Sequence, residues 1–136
     1  MIPARYGATR FPFKLMQLLG DKSVIRHTYD NTVATGLFDE VIVITDSEII
    51  YNEILNHGGR AVMSKRKHES GSDRIAEAAE DIAADVILNV QGDEPFVNKP
   101  SLAALLDAFK DPAVRVGSLM KKITEPALIK IGRAHV

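Results

Sequence analysis

Val41-Ile42-Val43-Ile44-Thr45 is a run in which every side chain is β-branched, and Asp46-Ser47 follows it at once. Such residues favour extended backbone and pack well on a pleated surface. With no polar alternation inside it, the run suits a strand covered on both faces, as in a parallel sheet. Working outward, Asp46 and Ser47 open a helix with Ile49, Ile50, Ile54 and Leu55 inward and Gly58-Gly59 closing it. Upstream, Ser23 caps a helix predicted from Val24 to about Thr35. Its stripe is Val24, Ile25, Thr28, Tyr29, Thr32 and Val33, and Gly36 is its stop. Downstream, Ala61-Val62-Met63 reads as a brief strand and Lys65-Arg66-Lys67-His68 as a solvated basic turn. A third helix starts near Ser72-Asp73, with Ile75, Ala76, Ala79, Ile82 and Ala83 apolar. Val86-Ile87-Leu88-Asn89-Val90 is the next buried strand. Pro100-Ser101 starts a helix carrying Leu102, Leu105, Leu106 and Phe109, and Val114 to about Ile123 is a candidate further strand. This alternation predicts an α/β fold with a doubly wound, mostly parallel sheet and right-handed crossovers. Ligands of such sheets lie outside the carboxyl ends of the strands, near a switch in strand order.

Bulk properties agree with one globular domain. The chain has 136 residues, 46% hydrophobic and 26% charged, with a net charge of -1. That charge gives no reason to expect nucleic acid or an anionic membrane as partner. Cysteine is absent, which excludes a disulfide framework and any thiolate metal site. No apolar run approaches membrane-spanning length and no signal peptide precedes Pro3, so a cytoplasmic location is expected. Both ends read as incomplete. Only Met1 and Ile2 precede the first loop, where a buried strand needs more residues, and 130–136 reads as a non-native tail. The expectation is a truncated single domain over 1–129.

The strand ends hold the chemistry. Ile2-Pro3-Ala4-Arg5-Tyr6-Gly7-Ala8-Thr9-Arg10-Phe11-Pro12-Phe13-Lys14 brings Arg5, Arg10 and Lys14 together before the first acid, Asp21. Gly7 and Pro12 break any regular period, so these cations sit on a loop. Guanidinium forks and a lysine point charge suit a polyphosphate; the plainer alternative is a solvated surface loop. Gln91-Gly92-Asp93-Glu94-Pro95 sets a carboxylate at the mouth of a buried strand. Asp93 there suits magnesium, which takes one or two protein carboxylates plus phosphate and water oxygens; otherwise Asp93 simply caps the next element. Ser70-Gly71-Ser72 can present hydroxyls and bare backbone to a base or ribose, although Ser72 is equally a helix cap. Arg74 could reach a carbonyl or phosphate, or serve as a surface ion-pair residue. His27, His57 and His135 have no metal-ligand spacing, and His68 is a lone histidine near the same edge.

Three of these segments carry a resemblance. The stretch from Ile2 to Pro12, His68-Glu69-Ser70-Gly71-Ser72-Asp73-Arg74, and Asn89-Val90-Gln91-Gly92-Asp93-Glu94-Pro95 resemble the 3-deoxy-manno-octulosonate cytidylyltransferases, which make CMP-activated Kdo for lipopolysaccharide. The likeness runs from Met1 to about Thr124. It implies a nucleotide-diphospho-sugar transferase fold of the glycosyltransferase-A type, CTP and Kdo as substrates, magnesium as cofactor and a homodimer at full length. Carried over by position, Arg10 and Lys14 are the catalytic cations. Ala4, Arg5, Arg10, Lys14, Ser70, Gly71 and Arg74 would bind the nucleotide, Gln91 the sugar acid and Asp93 the metal. Two departures stand out. The family usually reads Pro-Gly-Lys-Pro where this chain has Pro12-Phe13-Lys14-Leu15, so a side chain occupies a phosphate-hugging turn. The family's later half, with a second metal carboxylate and sugar contacts, has no counterpart here, so little turnover is expected of this chain alone. A transferase for another sugar acid, such as a sialic acid, or a catalytically dead nucleotide-binding module are the alternatives. A dinucleotide-binding oxidoreductase is not, since no G-x-G-x-x-G opens a helix.

Overall fold

A computed structural model describes residues 1–7 and 13–120. Arg10, the reading of 130–136 as a tail, and the end of the expected strand at 121–123 lie outside the described residues.

Strand β1 (Ile2–Ala4) is followed by a 3-10 turn at Lys14–Met16 and a two-residue hairpin, β2 (Leu18–Leu19) with β3 (Lys22–Ser23). Helix α1 (Val24–Ala34) then leads to β4 (Val43–Thr45), α2 (Glu48–Leu55) to β5 (Ala61–Met63), and α3 (Gly71–Ala79) and α4 (Lys99–Ala108) complete the order. The main sheet is parallel, in the order β1-β4-β5, with Ile2 opposite Val43 and Val43 opposite Ala61. Side chains alternate across it. Ile2, Ala4, Val43 and Ala61 bury with Ile25 of α1, Ile50 and Ile54 of α2 and Leu102 of α4. Ile42 and Ile44 bury on the other face with Ile75 and Ala78 of α3. Helices therefore cover both faces, as the all-β-branched run requires. Ile2, Ile25, Ile42, Ile44, Ile50 and Ile54 are essentially inaccessible to solvent. Each contributes about 1.5–3 kcal/mol by burial.

Several local expectations are corrected. Ile49 and Leu55 are exposed, because α2 turns only its Ile50–Ile54 edge to the sheet. Val33 is likewise exposed; on α3 the buried set is Arg74, Ile75, Glu77 and Ala78 while Ala76 faces outward, and Ala83, beyond the end of the helix, is exposed. Ser70, not Ser72, caps α3: its hydroxyl accepts from the Asp73 amide at 3.1 Å. No strand forms among the described residues 114–120.

The segment 86–90 does not form a regular strand either. Its Leu88 and Val90 are buried beside β1, where the Met1 nitrogen donates to Leu88 O at 2.8 Å and Val90 N donates to Met1 O at 3.0 Å. That is the bonding of one parallel bridge. The next residue of β1 to face this segment is Pro3, which has no N–H to continue the ladder. The order across the sheet is thus β5, β4, β1 and then 88–90. It reverses beside β1, and a crevice opens between the ends of β1 and of the 88–90 segment.

Candidate functional site

At that reversal the chain leaves β1 at Arg5 and leaves the neighbouring segment at Gln91. A cleft of about 250 Å³ opens there, lined by Pro3, Ala4 and Arg5, by His68 to Gly71, and by Arg74 and Gln91. Six residues singled out from the sequence therefore share one cavity: Ala4, Arg5, Ser70, Gly71, Arg74 and Gln91. Close packing brings the α3 start to this edge. A Cβ on Gly71 would lie 3.0 Å from Pro3 Cγ, so a side chain there would press α3 and β1 apart by a few tenths of an ångström. Ser70 also donates its hydroxyl to Asp73 Oδ2 at 2.6 Å, closing the first turn of α3 on its cap.

Lys14 and Asp93 lie on the same side of the molecule and form an ion pair, with both side chains partly exposed. Each is held by its own backbone. Phe13, just before Lys14, has φ 59° and ψ 22°, a left-handed conformation that costs a residue with a side chain about 1–2 kcal/mol. Its ring packs on Tyr6 at a centroid distance of 4.4 Å, tying the two ends of the cationic loop together. Asp93 rides on a turn closed by Glu94 N to Gln91 O at 3.1 Å. A Cβ on Gly92 would meet Pro3 O at 3.1 Å and Ile25 Cδ1 at 3.3 Å, so the turn is pressed against β1 and α1.

Helix α1 supplies supports that sequence reasoning missed. Thr28 donates its hydroxyl to Gly92 O at 2.9 Å, and Asn31 donates its amide to Pro95 O at 2.6 Å. One face of α1 thus pins both shoulders of the turn that carries Asp93. The available signal was the occurrence of Thr28 and Thr32 on an otherwise apolar stripe.

Arg74 is placed differently from a free phosphate ligand. Its side chain is 3% exposed, and it donates to Asp46 Oδ2 and to Ser64 Oγ, each at 2.7 Å. Its charge is already matched by Asp46 at the end of β4, so it acts first as a strut under the cleft. Gln91 is exposed and donates to Asn89 Oδ1 at 3.0 Å. The basic turn is also more than a solvated patch. Lys65 N, Arg66 Nε and His68 Nε2 all converge at 3.0 Å on the buried Glu77 carboxylate. The His68 bond foremost, then those from Arg66 and Lys65, outweigh the upward push of burial and bring the Glu77 pKa from 4.5 to about 2. His27 and His57 bond to backbone oxygens of Leu19 and Glu53.

A divalent cation fits at Asp93 only with help. Among the described residues no group of three or more His, Cys, Asp or Glu side chains could hold a metal. One carboxylate completed by phosphate and water oxygens is nonetheless a donor set that magnesium accepts, with Asp93 shared between the metal and Lys14. No helix among the described residues is long and apolar enough to cross a membrane.

Comparison with known proteins bears on this arrangement. The family model described as cytidylyltransferase matches residues 1–130. The 3-deoxy-manno-octulosonate cytidylyltransferase of Flavobacterium johnsoniae is 54% identical over 127 residues, covering 91% of this chain and 52% of that protein. The one from Christiangramia forsetii is 59% identical over 110 residues, covering 81% and 44% respectively. The solved structure of CMP:2-keto-3-deoxy-manno-octonic acid synthetase complexed with CTP superposes with a TM-score of 0.79 at 37% identity, over 83% of this chain and 47% of that one. The bifunctional IspDF from Campylobacter jejuni, at 17% identity and a TM-score of 0.65, shares the fold. The chain spans about half the length of the curated relatives it matches.

Proposed function

We propose, from the premise that this chain belongs to the cytidylyltransferase family, that it forms the CTP-binding part of an enzyme moving CMP from CTP to Kdo with release of pyrophosphate. The observation that carries this reading is the pairing of Lys14 with Asp93 beside a cleft built from Ala4, Arg5, Ser70 and Gly71. A cation and a carboxylate at one strand edge are what a metal-bound triphosphate needs. The names of the relatives favour Kdo over a sialic acid as the acceptor.

In the reaction the anomeric hydroxyl oxygen of Kdo bonds to the α-phosphorus of CTP. The bond to the bridging oxygen of the β-phosphate breaks, pyrophosphate leaves and the hydroxyl proton passes to solvent. The chain's own work is positioning and charge stabilisation. Lys14 and Arg10 would offset charge growing on the phosphates, and Arg5 would extend that field into the cleft. Ala4, Ser70 and Gly71 would seat the nucleoside, with Arg74 holding the cleft floor through Asp46. Gln91 would orient the sugar acid. Asp93 would hold magnesium, which when bound supplies Lewis-acid stabilisation of the phosphate oxygens. The same reading makes the cytoplasm the compartment and a homodimer the assembly. Exposed Phe96, Val116 and Met120, each more than 80% accessible, are consistent with further covering surface.

Assay of pyrophosphate release from CTP and magnesium, with Kdo or neuraminate offered as acceptor, tests the reading. Release with Kdo alone by a version extended to the relatives' length is expected. Release with neuraminate instead would overturn the acceptor assignment. A nucleotide-binding module without activity is the second reading, favoured by the left-handed Phe13 in the phosphate turn. Phe13→Gly in the extended version would then raise CTP affinity, and no gain would remove the ground for that reading.

A further inference from the structure

Thr28 lies on the inward stripe of α1 with no exposed surface, yet it carries a hydroxyl. In a helix such a group can bond the carbonyl four residues back, and Thr32 does so, on Thr28 O at 2.7 Å. Thr28 has that partner too, Val24 O at 3.1 Å, but Gly92 O is nearer at 2.9 Å. No other donor reaches Gly92 O among the described residues. The bond to Gly92 thus goes beyond what burying a threonine requires. It meets the turn just before Asp93, and Asn31 of the same helix meets that turn again at Pro95 O. Val24, one helical turn before Thr28, donates its amide to Gln17 O at 2.9 Å and so holds the end of the 3-10 turn that begins with Lys14. Leu15, next to Lys14, has its Cδ1 3.4 Å from where a Cβ on Gly92 would lie. Both sides of the Lys14–Asp93 rim are therefore tied to one helix. Ser23 in turn ties the start of that helix to Glu53 of α2, donating to its Oε1 at 2.7 Å.

We propose that Thr28 is the positioning residue of the metal carboxylate: by holding Gly92 O it fixes Asp93 at the spacing from Lys14 at which a divalent cation and a triphosphate bind together. The inference rests on the reading of Asp93 as the magnesium ligand and deepens it. Magnesium demands near-ideal octahedral geometry, and Asp93 offers it one carboxylate, with no cluster of further ligands among the described residues to correct its aim. The carboxylate's aim is then set by its backbone, and the backbone is set by α1. A turn freed from Thr28 would have to be ordered each time the cation binds, which weakens binding by the cost of that ordering. The triphosphate alone makes no such demand on Asp93, so the role belongs to the magnesium-dependent part of nucleotide affinity.

Three substitutions separate this role from a merely structural one. Thr28→Val keeps the side chain's size and removes the hydroxyl, while Thr28→Ser keeps the hydroxyl. Thr32→Val is the matched control, buried on the same helix with its hydroxyl bonded only to helix backbone. Calorimetric titration of the chain with CTP, with and without magnesium and below the lowest melting temperature of the set, gives the readout. Against a magnesium gain of about tenfold in the wild type, Thr28→Val should keep only about 2- to 3-fold, with magnesium-free CTP affinity unchanged. Thr28→Ser should restore most of the gain. Thr32→Val should melt lower than the wild type and keep the gain in full. A full magnesium gain in Thr28→Val would overturn the inference and leave Asp93 standing as the metal ligand. So would an equal loss of gain in Thr32→Val, which would mark a general loosening of α1, or a loss in Thr28→Ser as large as in Thr28→Val. A wild-type chain whose CTP affinity ignores magnesium overturns the reading of Asp93, and this inference with it.

Discussion

Phe13 offers the sharpest test of the phosphate loop's geometry. Its φ of 59° lies where a Cβ is penalised by about 1–2 kcal/mol, and that strain persists because its ring packs on Tyr6. The aromatic pair itself contributes about 0.5–1.5 kcal/mol. Phe13→Ala removes the pair but keeps the strain, so it should destabilise by roughly 1 kcal/mol. Phe13→Gly removes both. Shedding the strain then competes with the greater freedom of glycine in the unfolded chain, about 0.4–1 kcal/mol, and leaves stability near wild type. Glycine should therefore exceed alanine by roughly 0.5–1 kcal/mol, the reverse of the usual order. Urea denaturation followed by far-UV circular dichroism reads this as a midpoint about 0.3–0.5 M higher for glycine. Alanine at least as stable as glycine would refute the left-handed assignment and the account of the loop built on it.

Other substitutions probe the supports. Gly92→Ala places a Cβ 3.1 Å from Pro3 O and should cost about 1–3 kcal/mol, visible as a lowered melting temperature together with weaker CTP binding. Asp46→Ala leaves the buried Arg74 guanidinium with Ser64 alone. Since Asp46 is about one-third exposed, the loss should be roughly 2 kcal/mol rather than the full value for a buried pair. Acid stability reports on Glu77. Its folded pKa of about 2 lies below the ordinary 4.5, so the unfolded chain binds more protons between those values. The stabilisation is fully present above pH 4.5 and is lost as pH falls toward 2. In Glu77→Gln the melting temperature should be lower at neutral pH and fall less steeply through that window; parallel curves for the two proteins would count against the carboxylate network.

Much of the fold was legible because burial on both faces leaves a plain signature. The run from Val41 to Thr45 marks the central strand, and Ser23, Gly36 and Gly58 mark helix ends where a hydroxyl cap or a positive φ is needed. The segment 86–90 misled because only its Leu88–Val90 end meets β1, through Met1, and Pro3 cannot donate the bond that would carry the ladder on past Val90. The inward and outward edges of α2 misled because a short helix packing on a three-stranded sheet buries a narrower stripe than four apolar residues suggest. At the site, the gathering of Ala4, Arg5, Ser70, Gly71 and Gln91 follows from strand ends sharing one edge. What the sequence hid were partners distant along the chain. Asp46 under Arg74, Glu77 under His68, and Thr28 and Asn31 behind the Asp93 turn are separated from what they hold by 28, 9 and 64 residues. No local pattern announces such pairs.

The central claim is that Lys14 and Asp93 form one rim that a metal-bound triphosphate occupies. Calorimetric titration of CTP with and without magnesium, on the wild-type chain and on Asp93→Asn, tests it most directly. Magnesium should strengthen CTP binding by about tenfold or more in the wild type, worth about 1.4 kcal/mol, and leave it unchanged in Asp93→Asn. Equal affinity with and without magnesium in the wild type, or a full magnesium response in Asp93→Asn, would contradict it.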